Sequence, residues 1–498
     1  MIANIPPFKS FRDNKLWESY INEKLQPFEE NVSDYLKYWY IESQENSKAY
    51  PSQGLLTTPY DNLSYDKKGL LPPEEMINIL RIRQYFLELF NHPERISKLL
   101  EVQESDFAPP QKISSKVMDR VIKDEMALSI SDLGIAVVGS QNKRISRKNR
   151  LTTGPFAKIG KHARSLLVGS AMQDVWGSVY AISTMAQCLC LSGVPRNGPF
   201  SDIKRQADLV KEVFSALKSS EVLIGRSKKE QKDLLKIWKK NVMGVIEANE
   251  GKALKRASSL CDVGVRSFRV YSPEPGLGPL KTVKLLRKKL GNRIEIFAGQ
   301  VVDVDQAKQL EEAGADGLYI GIGGGGRCIT GVRSGSVIDW PILLWSLRGE
   351  INIPVVVEGG ASDNIATTLA LGASGIGVSR IAAGGTVESP GGMLYFIDKN
   401  GNYFKPYGGE ASARTKHLDD KILPFSIPSF VEGETRKADM LHQEYGSPTV
   451  PFHVFNLVED IILSYVFRGV ATLEEFHNIS PSPLRQKTLH GDLVQQTH

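Results

Sequence analysis

The chain has 498 residues, 41% of them hydrophobic and 24% charged, with 62 Lys+Arg against 56 Asp+Glu for a formal charge of +6. That length exceeds one ordinary domain and suffices for a large barrel with additions. A charge this mild over this length suits anionic small ligands and does not argue for nucleic acid as a partner.

Residues 1–110 are rich in aromatic and charged residues at helical spacing. Glu75–Phe90, EMINILRIRQYFLELF, places apolar residues every three or four positions, the pattern of an amphipathic helix, and Asn91 and Pro93 end it. Trp17, Tyr20, Phe28, Tyr35, Tyr38 and Trp39 mark further helices. The whole stretch reads as a helical N-terminal addition without a chemical motif: a lid, an oligomer contact or a partner site. Residues 111–165 form a linker and lead-in. Ser105–Lys112 opens it, Val117–Ser140 holds a helix and a short strand at Gly134–Val138, and Arg144–Ala163 is loop-like. The basic run Lys143–Arg150, KRISRKNR, is expected to be solvated surface.

From Leu166 a unit repeats: a short apolar run, a turn, a helical stretch. The runs are Leu166–Gly169, Cys188–Gly193, Val242–Ile246, Ser267–Val270, Ile294–Ala298, Leu318–Gly321, Pro354–Val357 and Gly375–Val378. Helices are expected at Asp202–Leu217, Lys252–Val263, Pro279–Leu290, Asp303–Ala313 and Asn364–Leu371. Continuous apolar strands alternating with helices imply a parallel sheet. Eight units imply a (β/α)8 TIM barrel over 166–410, with chemistry at the C-terminal strand ends. An open doubly wound sheet fits less well, because no Gly-x-Gly-x-x-Gly follows the first strand. After the barrel, 411–450 is a polar, flap-like segment. A closing segment, 451–479, carries an amphipathic helix at Val454–Phe467, and 480–498 reads as a disordered tail.

Cys188, Cys190, Cys261 and Cys328 offer no disulfide framework and no Cys-x-x-Cys metal pair. The spacing of Cys188 and Cys190 puts both on one strand face, as buried thiols. No signal-like N-terminus is visible, and no apolar run approaches the ~20 residues that span a bilayer. The expectation is a soluble protein of a reducing compartment, the cytoplasm.

The chemistry is concentrated in Ala313–Arg333, AGADGLYIGIGGGGRCITGVR. A strand stops at four glycines, Gly323 to Gly326, and Arg327, Cys328, Ile329 and Thr330 follow. Glycines let a ligand approach the main chain closely, and a neighbouring cation favours the nucleophilic thiolate. Taken locally, the stretch could equally be a turn with an incidental cysteine. Further on come PVVVEGG at Pro354–Gly360, ALGASGIGVSR at Ala370–Arg380, GGTVESPGG at Gly384–Gly392 and YFKPYGGE at Tyr403–Glu410.

This succession, from about Leu166 to about Phe476, resembles the IMP dehydrogenase/GMP reductase family. The family carries a glycine-flanked Cys-x-Thr loop, an acidic-Gly-Gly strand end, a Gly-Ser-type phosphate loop, a Glu-Ser-Pro-Gly turn and a Tyr-Gly segment, in that order. The resemblance implies an oxidoreductase that uses NAD or NADP on a purine nucleotide. Cys328 would be the nucleophile that forms a thioimidate, and Thr330 would help position water or ammonia. Gly359, Gly360, Ser379 and Arg380 would cradle the phosphate at the ends of strands 7 and 8, although the family does not usually have an arginine at Arg380. Glu358 stands where the family has an aspartate on the ribose hydroxyls. Ser170, Met172, Arg196 and Asn197 would border the base, and Tyr407, Gly408 and Glu410 would reach back over it. Tyr271, Ser272, Gly321 and Gly323 would meet the cofactor. The resemblance further implies a homotetramer, and a potassium ion on the carbonyls of Gly323, Gly325 and Cys328.

The chain also departs from the family pattern. Gly326 replaces a serine, Tyr271 replaces the aspartate that touches the nicotinamide ribose, and Gln300-Val301 replaces Asn-Val. No Arg-Tyr pair in Ala411–Tyr445 matches the flap dyad that activates water in IMP dehydrogenases, and Glu410 is the carboxylate nearest the position of the GMP reductase glutamate. About 50 residues separate strands 2 and 3, too few for the regulatory CBS-domain pair that many members insert there. IMP dehydrogenase-like conversion of IMP to XMP is the first expectation. GMP reductase-like conversion of GMP to IMP, and a nucleotide-binding protein without turnover, stand as alternatives.

Overall fold

The computed structural model describes residues 14–29, 63–124, 126–136, 145–272, 277–321, 333–335, 337–419, 422–423, 427–428, 433–440 and 447–496. Four short strands precede the central sheet: β1 (Lys67–Leu70), β2 (Leu133–Ile135), β3 (Phe156–Ile159) and β4 (His162–Ser165). Eight more follow in order: β5 (Leu167–Gly169), β6 (Leu191–Val194), β7 (Val242–Glu247), β8 (Ser267–Tyr271), β9 (Glu295–Gly299), β10 (Gly317–Ile320), β11 (Val355–Val357) and β12 (Gly375–Val378). They close into a barrel, with β12 pairing parallel to β5 through Ile376 opposite Leu167. Helices cover the outside, so both strand faces are buried and each strand reads as an unbroken apolar run. The expected strands agree with the observed ones to within a few residues, and the chain is an α/β barrel.

Two details correct the expectation. Cys188 caps the helix Val179–Gln187, and Cys190 lies in the turn after it, so neither is on a strand. Leu189 turns there with φ 63° and breaks the extended run. Both thiols are fully buried, which raises the Cys188 pKa and pushes Cys190 up to about 12. Arg144–Ala163, expected as loop, contains the helix Arg147–Thr153 and the start of the β3–β4 hairpin. The hairpin closes the N-terminal end of the barrel. Its Ile159 joins Val168, Leu191, Met243, Phe297, Tyr319 and Val356 in one buried cluster. Arg164 on β4 makes two bonds to Glu295, at 2.9 and 2.8 Å, and Glu295 also accepts from the Ser267 hydroxyl at 2.5 Å.

The N-terminal addition contains the helices Asn14–Glu29, Pro73–Phe90 and Pro93–Glu104. It is not wholly helical, because β1 pairs antiparallel with a strand from beyond the barrel. Tyr35, Tyr38 and Trp39 lie outside the described residues. The addition is held by charge as well as by packing. Glu88, fully buried, meets Lys24 at 2.9 Å and Arg226 at 2.9 Å. Arg83 approaches Glu388 of the Glu-Ser-Pro-Gly turn at 3.3 Å, and Glu388 also accepts from the Val450 amide at 3.0 Å. Between β6 and β7 stand the helices Ile203–Lys218 and Lys228–Lys240, and no inserted domain.

Beyond the barrel come β13 (Leu394–Ile397), β14 (Tyr403–Tyr407), β15 (Ile422–Leu423), β16 (Ile427–Pro428), β17 (Arg436–Asp439) and β18 (Leu484–Gln486). A four-stranded sheet runs β1-β13-β14-β17. The helix Val450–Arg468 is long and apolar enough to cross a membrane by length and composition. The sequence had suggested no such run. Here the helix buries Val454, Val458, Ile461 and Tyr465 in the main core against the rest of the chain. Residues 480–498, expected as a disordered tail, carry β18, which pairs with β2, and the helix Leu489–Gln496. The physical reason is local: Leu484 is buried, and its strand satisfies the main-chain groups of β2.

Candidate functional site

A cavity of about 270 Å³ opens at the C-terminal ends of the barrel strands. Its wall takes Ser170 and Met172 from beyond β5, Arg269 and Tyr271 from β8, and Gln300 from beyond β9. Gly321 lies at the end of β10, Glu358 to Gly360 at the end of β11, and Ser379 and Arg380 at the end of β12. Tyr407, the last residue of β14, and Glu410 beyond it close the cavity. This is the end of a (β/α)8 barrel where strand-end loops can converge on a ligand.

On one side, Gly359 and Gly360 adopt φ 74° and 91°, a conformation that favours glycine. The Ser170 and Ser379 hydroxyls meet in a short hydrogen bond across the seam where β5 joins β12. Arg380 beside them is exposed. Glycine main chain, hydroxyls and an arginine in one corner form a donor set suited to a phosphate.

Across the cavity, Arg269 reaches from the fourth barrel strand to the end of the seventh. Its two terminal nitrogens bond the two Glu358 oxygens at 2.9 and 2.6 Å. The guanidinium lies over Tyr319, 4.0 Å from the ring centre, and over Tyr271 at 4.6 Å. Burial disfavours its charge, but Glu358 and the two tyrosines outweigh that, so its pKa is raised. The space around Glu358 depends on glycines. A Cβ at Gly321 would sit 2.2 Å from the Glu358 carbonyl oxygen, and one at Gly377 would sit 2.6 Å from its Cγ.

The closing segment is fastened from beneath. The Gly408 amide donates to Asp174 at 2.8 Å, and Arg414 Nε reaches the same carboxylate at 2.9 Å. Above them, the Tyr407 hydroxyl donates to the Met172 sulfur at 3.1 Å. Arg196 bonds Glu410 at 2.9 Å and lies 5.8 Å from the centre of the Tyr271 ring.

The fold thus brings together Ser170, Met172, Tyr271, Gly321, Glu358, Gly359, Gly360, Ser379, Arg380, Tyr407 and Glu410. Arg196 joins them through Glu410. Gly408 stands behind the wall on Asp174, and Asn197 begins the turn Gly198–Ser201 outside the wall. Ser272 is likewise off the wall; its amide is bonded to the Gly299 carbonyl. Gly323, Gly325, Cys328 and Thr330, including the three carbonyls expected to hold potassium, lie outside the described residues. Among the described residues no cluster of three His, Cys, Asp or Glu could hold a metal ion.

Sequence reading missed Arg269, Asp174 and Arg414. One signal was present for Arg269: a charged residue inside the apolar run SFRVY must find a partner when buried. On the side expected to face a nicotinamide, the wall offers the Tyr271 ring. Gln300 lies there too; its Oε1 is buried and has no hydrogen-bond partner among the described residues. An aromatic face and an amide acceptor fit a flat carboxamide ring, although the aspartate expected for its ribose is replaced.

These features define a (β/α)8 barrel with a polar ligand cavity at the C-terminal strand ends. The domain family described as IMP dehydrogenase / GMP reductase matches residues 110–478, and the chain belongs to it. An inosine-5'-monophosphate dehydrogenase of Rhodopirellula baltica is 24% identical over 449 residues, 77% of this chain and 80% of that protein. Those of Mycobacterium leprae and Cryptosporidium parvum are 29% and 27% identical, over 48% of this chain in each case. These two alignments take in 48% and 60% of the relatives, so against several curated relatives the chain spans about half their length.

Proposed function

We propose that this chain is a nicotinamide-dependent oxidoreductase of a purine nucleotide, acting through a covalent bond to Cys328, with IMP dehydrogenase-like conversion of IMP to XMP as the first reading. The observation that carries it is the cavity. Its phosphate-type corner sits at the ends of β11 and β12, and Gly321, the last described residue before Cys328, lies on the same wall. Gly359, Gly360, Ser379 and Arg380 hold the phosphate. Glu358 faces the ribose, Ser170, Met172 and Arg196 border the base, and Tyr407 and Glu410 close over it, with Asn197 and Gly408 supporting them from outside the wall.

In this reading the Cys328 thiolate adds to C2 of the base, and the C2 hydrogen leaves with its electron pair. NAD or NADP, when bound, would accept that hydride and would be held by Tyr271 and Gly321 on the cavity wall, with Ser272 and Gly323 beside them in the chain. The thioimidate left on Cys328 is cleaved by water, which releases XMP and restores the thiol. Thr330 positions that water. A homotetramer and a potassium ion on Gly323, Gly325 and Cys328 belong to the same proposal.

One observation favours a second reading. Glu410 brings a carboxylate to the cavity mouth, where a GMP reductase-like reaction needs one, and Arg196 orients it. In that reaction a hydride is delivered to C2 and ammonia leaves. Absorbance at the reduced-nicotinamide band separates the readings. A rise with IMP and oxidised cofactor supports the first, and a fall with GMP and reduced cofactor supports the second. Nucleotide binding with no change in either assay would identify a non-catalytic binder.

A further inference from the structure

The geometry points to Arg269 as the positioning residue that sets the sugar specificity of this cavity, acting through Glu358 so that the site prefers a ribonucleotide to its 2′-deoxy analogue. The inference rests on the reading above, in which Glu358 faces the ribose.

Glutamate at this position has one more rotatable bond than the aspartate the family usually carries. Left alone, its carboxylate could swing over a wide arc. Here both oxygens are gripped by Arg269, at 2.9 and 2.6 Å, in the paired geometry that fixes the plane as well as the position of a carboxylate. The grip is itself held. Arg269 is 4% exposed and lies between the Tyr319 and Tyr271 rings, 4.0 and 4.6 Å from their centres. Order therefore passes from two aromatic rings to the guanidinium and on to the carboxylate. Gly377 leaves the space that this longer side chain needs, and Gly321 lets the Glu358 main chain pass close by.

The pair also decides what the carboxylate can accept. Each oxygen has about two lone-pair directions, and Arg269 uses one on each. One direction remains on each oxygen and points outward, away from its twin, so the oxygen that faces the cavity can still accept from a ribose hydroxyl. Charge follows the same logic. An unpaired carboxylate beside a phosphate dianion would repel the ligand, and Arg269 neutralises it within the wall. Lysine cannot replace this, because an ammonium is a point charge without the planar fork.

The test is calorimetric binding of IMP and 2′-deoxy-IMP to the full chain and to Arg269→Lys, Arg269→Gln, Glu358→Gln and the Arg269→Gln/Glu358→Gln double variant. The parent should prefer the ribonucleotide by about tenfold or more, the scale of one hydrogen bond to a charged group. Arg269→Lys should keep affinity for the anionic nucleotide while that preference shrinks severalfold. Arg269→Gln should abolish it, and the double variant should match Glu358→Gln alone, because the two residues act as one unit. A general loss of stability would weaken both ligands alike and leave the ratio unchanged. If Arg269→Gln does not fold, the lysine and double variants carry the test, since neither leaves a buried charge alone. A preference retained in Arg269→Lys and in the double variant overturns the inference. A parent that binds neither nucleotide, or both equally, overturns the ribose reading and the inference together.

Discussion

Asp174, just after the first barrel strand, and Arg414, on the helix Ala413–Leu418, form a fully buried ion pair 2.9 Å apart beneath the segment that closes the cavity. The same carboxylate receives the Gly408 amide at 2.8 Å. One side chain thus joins the barrel, the Tyr407–Glu410 segment and the polar segment that follows. Arg414 Nε also approaches the other Asp174 oxygen, at 3.1 Å, so the guanidinium is shared between both.

Asp174 supplies the buried carboxylate that Arg414 and the Gly408 amide share. Asp174→Ala is expected to cost about 3–5 kcal/mol of stability and to free the closing segment. Denaturant midpoints measure the first effect, and limited proteolysis near residues 408–418 measures the second. A variant as stable and as protease-resistant as the parent would contradict this role.

Gly377 tests the space around Glu358 without touching a charge. Its added methyl would lie 2.6 Å from the Glu358 Cγ, too close to be accommodated without displacing that side chain. Gly377→Ala should cost about 1–3 kcal/mol from overpacking. It should weaken nucleotide binding by more than the stability loss accounts for, because the Arg269–Glu358 pair is pulled out of register. Equal affinity in titration calorimetry would show that Glu358 does not contact the ligand.

The stability of the fold should fall as acid is added, partly through His477. Its Nε2 lies 2.9 Å from the Ala373 carbonyl, and burial, then Arg348, lower its pKa from 6.5 to about 3. Between those values the unfolded chain takes a proton that the folded chain refuses. The stabilisation is complete above about pH 6.5 and is lost as pH falls towards about 3. His162 and His453, each lowered to about 4 chiefly by burial, act in the same direction. Urea midpoints measured from about pH 7 down to about pH 4.5 should therefore decline, and less steeply in His477→Gln, whose amide can still donate to Ala373. Identical slopes would contradict the assignment.

The eight strands were legible because parallel strands buried on both faces leave continuous apolar runs such as Val355–Val357. The β3–β4 hairpin was not. Its strands are four residues long, and Lys158, His162 and Arg164 disguise them, although Arg164 points inward to Glu295. The cavity wall was legible where the chain kept its glycines, at Gly321, Gly359 and Gly360, and where it kept hydroxyls, at Ser170 and Ser379. The Arg269–Glu358 pair was not, because it joins residues 89 positions apart whose meeting depends on barrel closure. Asp174 and Arg414 were hidden for the same reason, lying 240 positions apart. In the closing region, β18 is three residues long, too short for periodicity to reveal, and its signal lies in its partner β2.

The central claim is that Cys328 bonds covalently to a purine nucleotide. Its most direct test is the intact mass of the protein after incubation with IMP and NAD or NADP, in the parent and in Cys328→Ala. The account predicts a mass increase of one nucleotide in the parent, absent from the variant, while the variant still binds IMP. An unmodified parent that binds IMP as tightly as the variant, with no hydride transferred from any purine nucleotide tried, would contradict it.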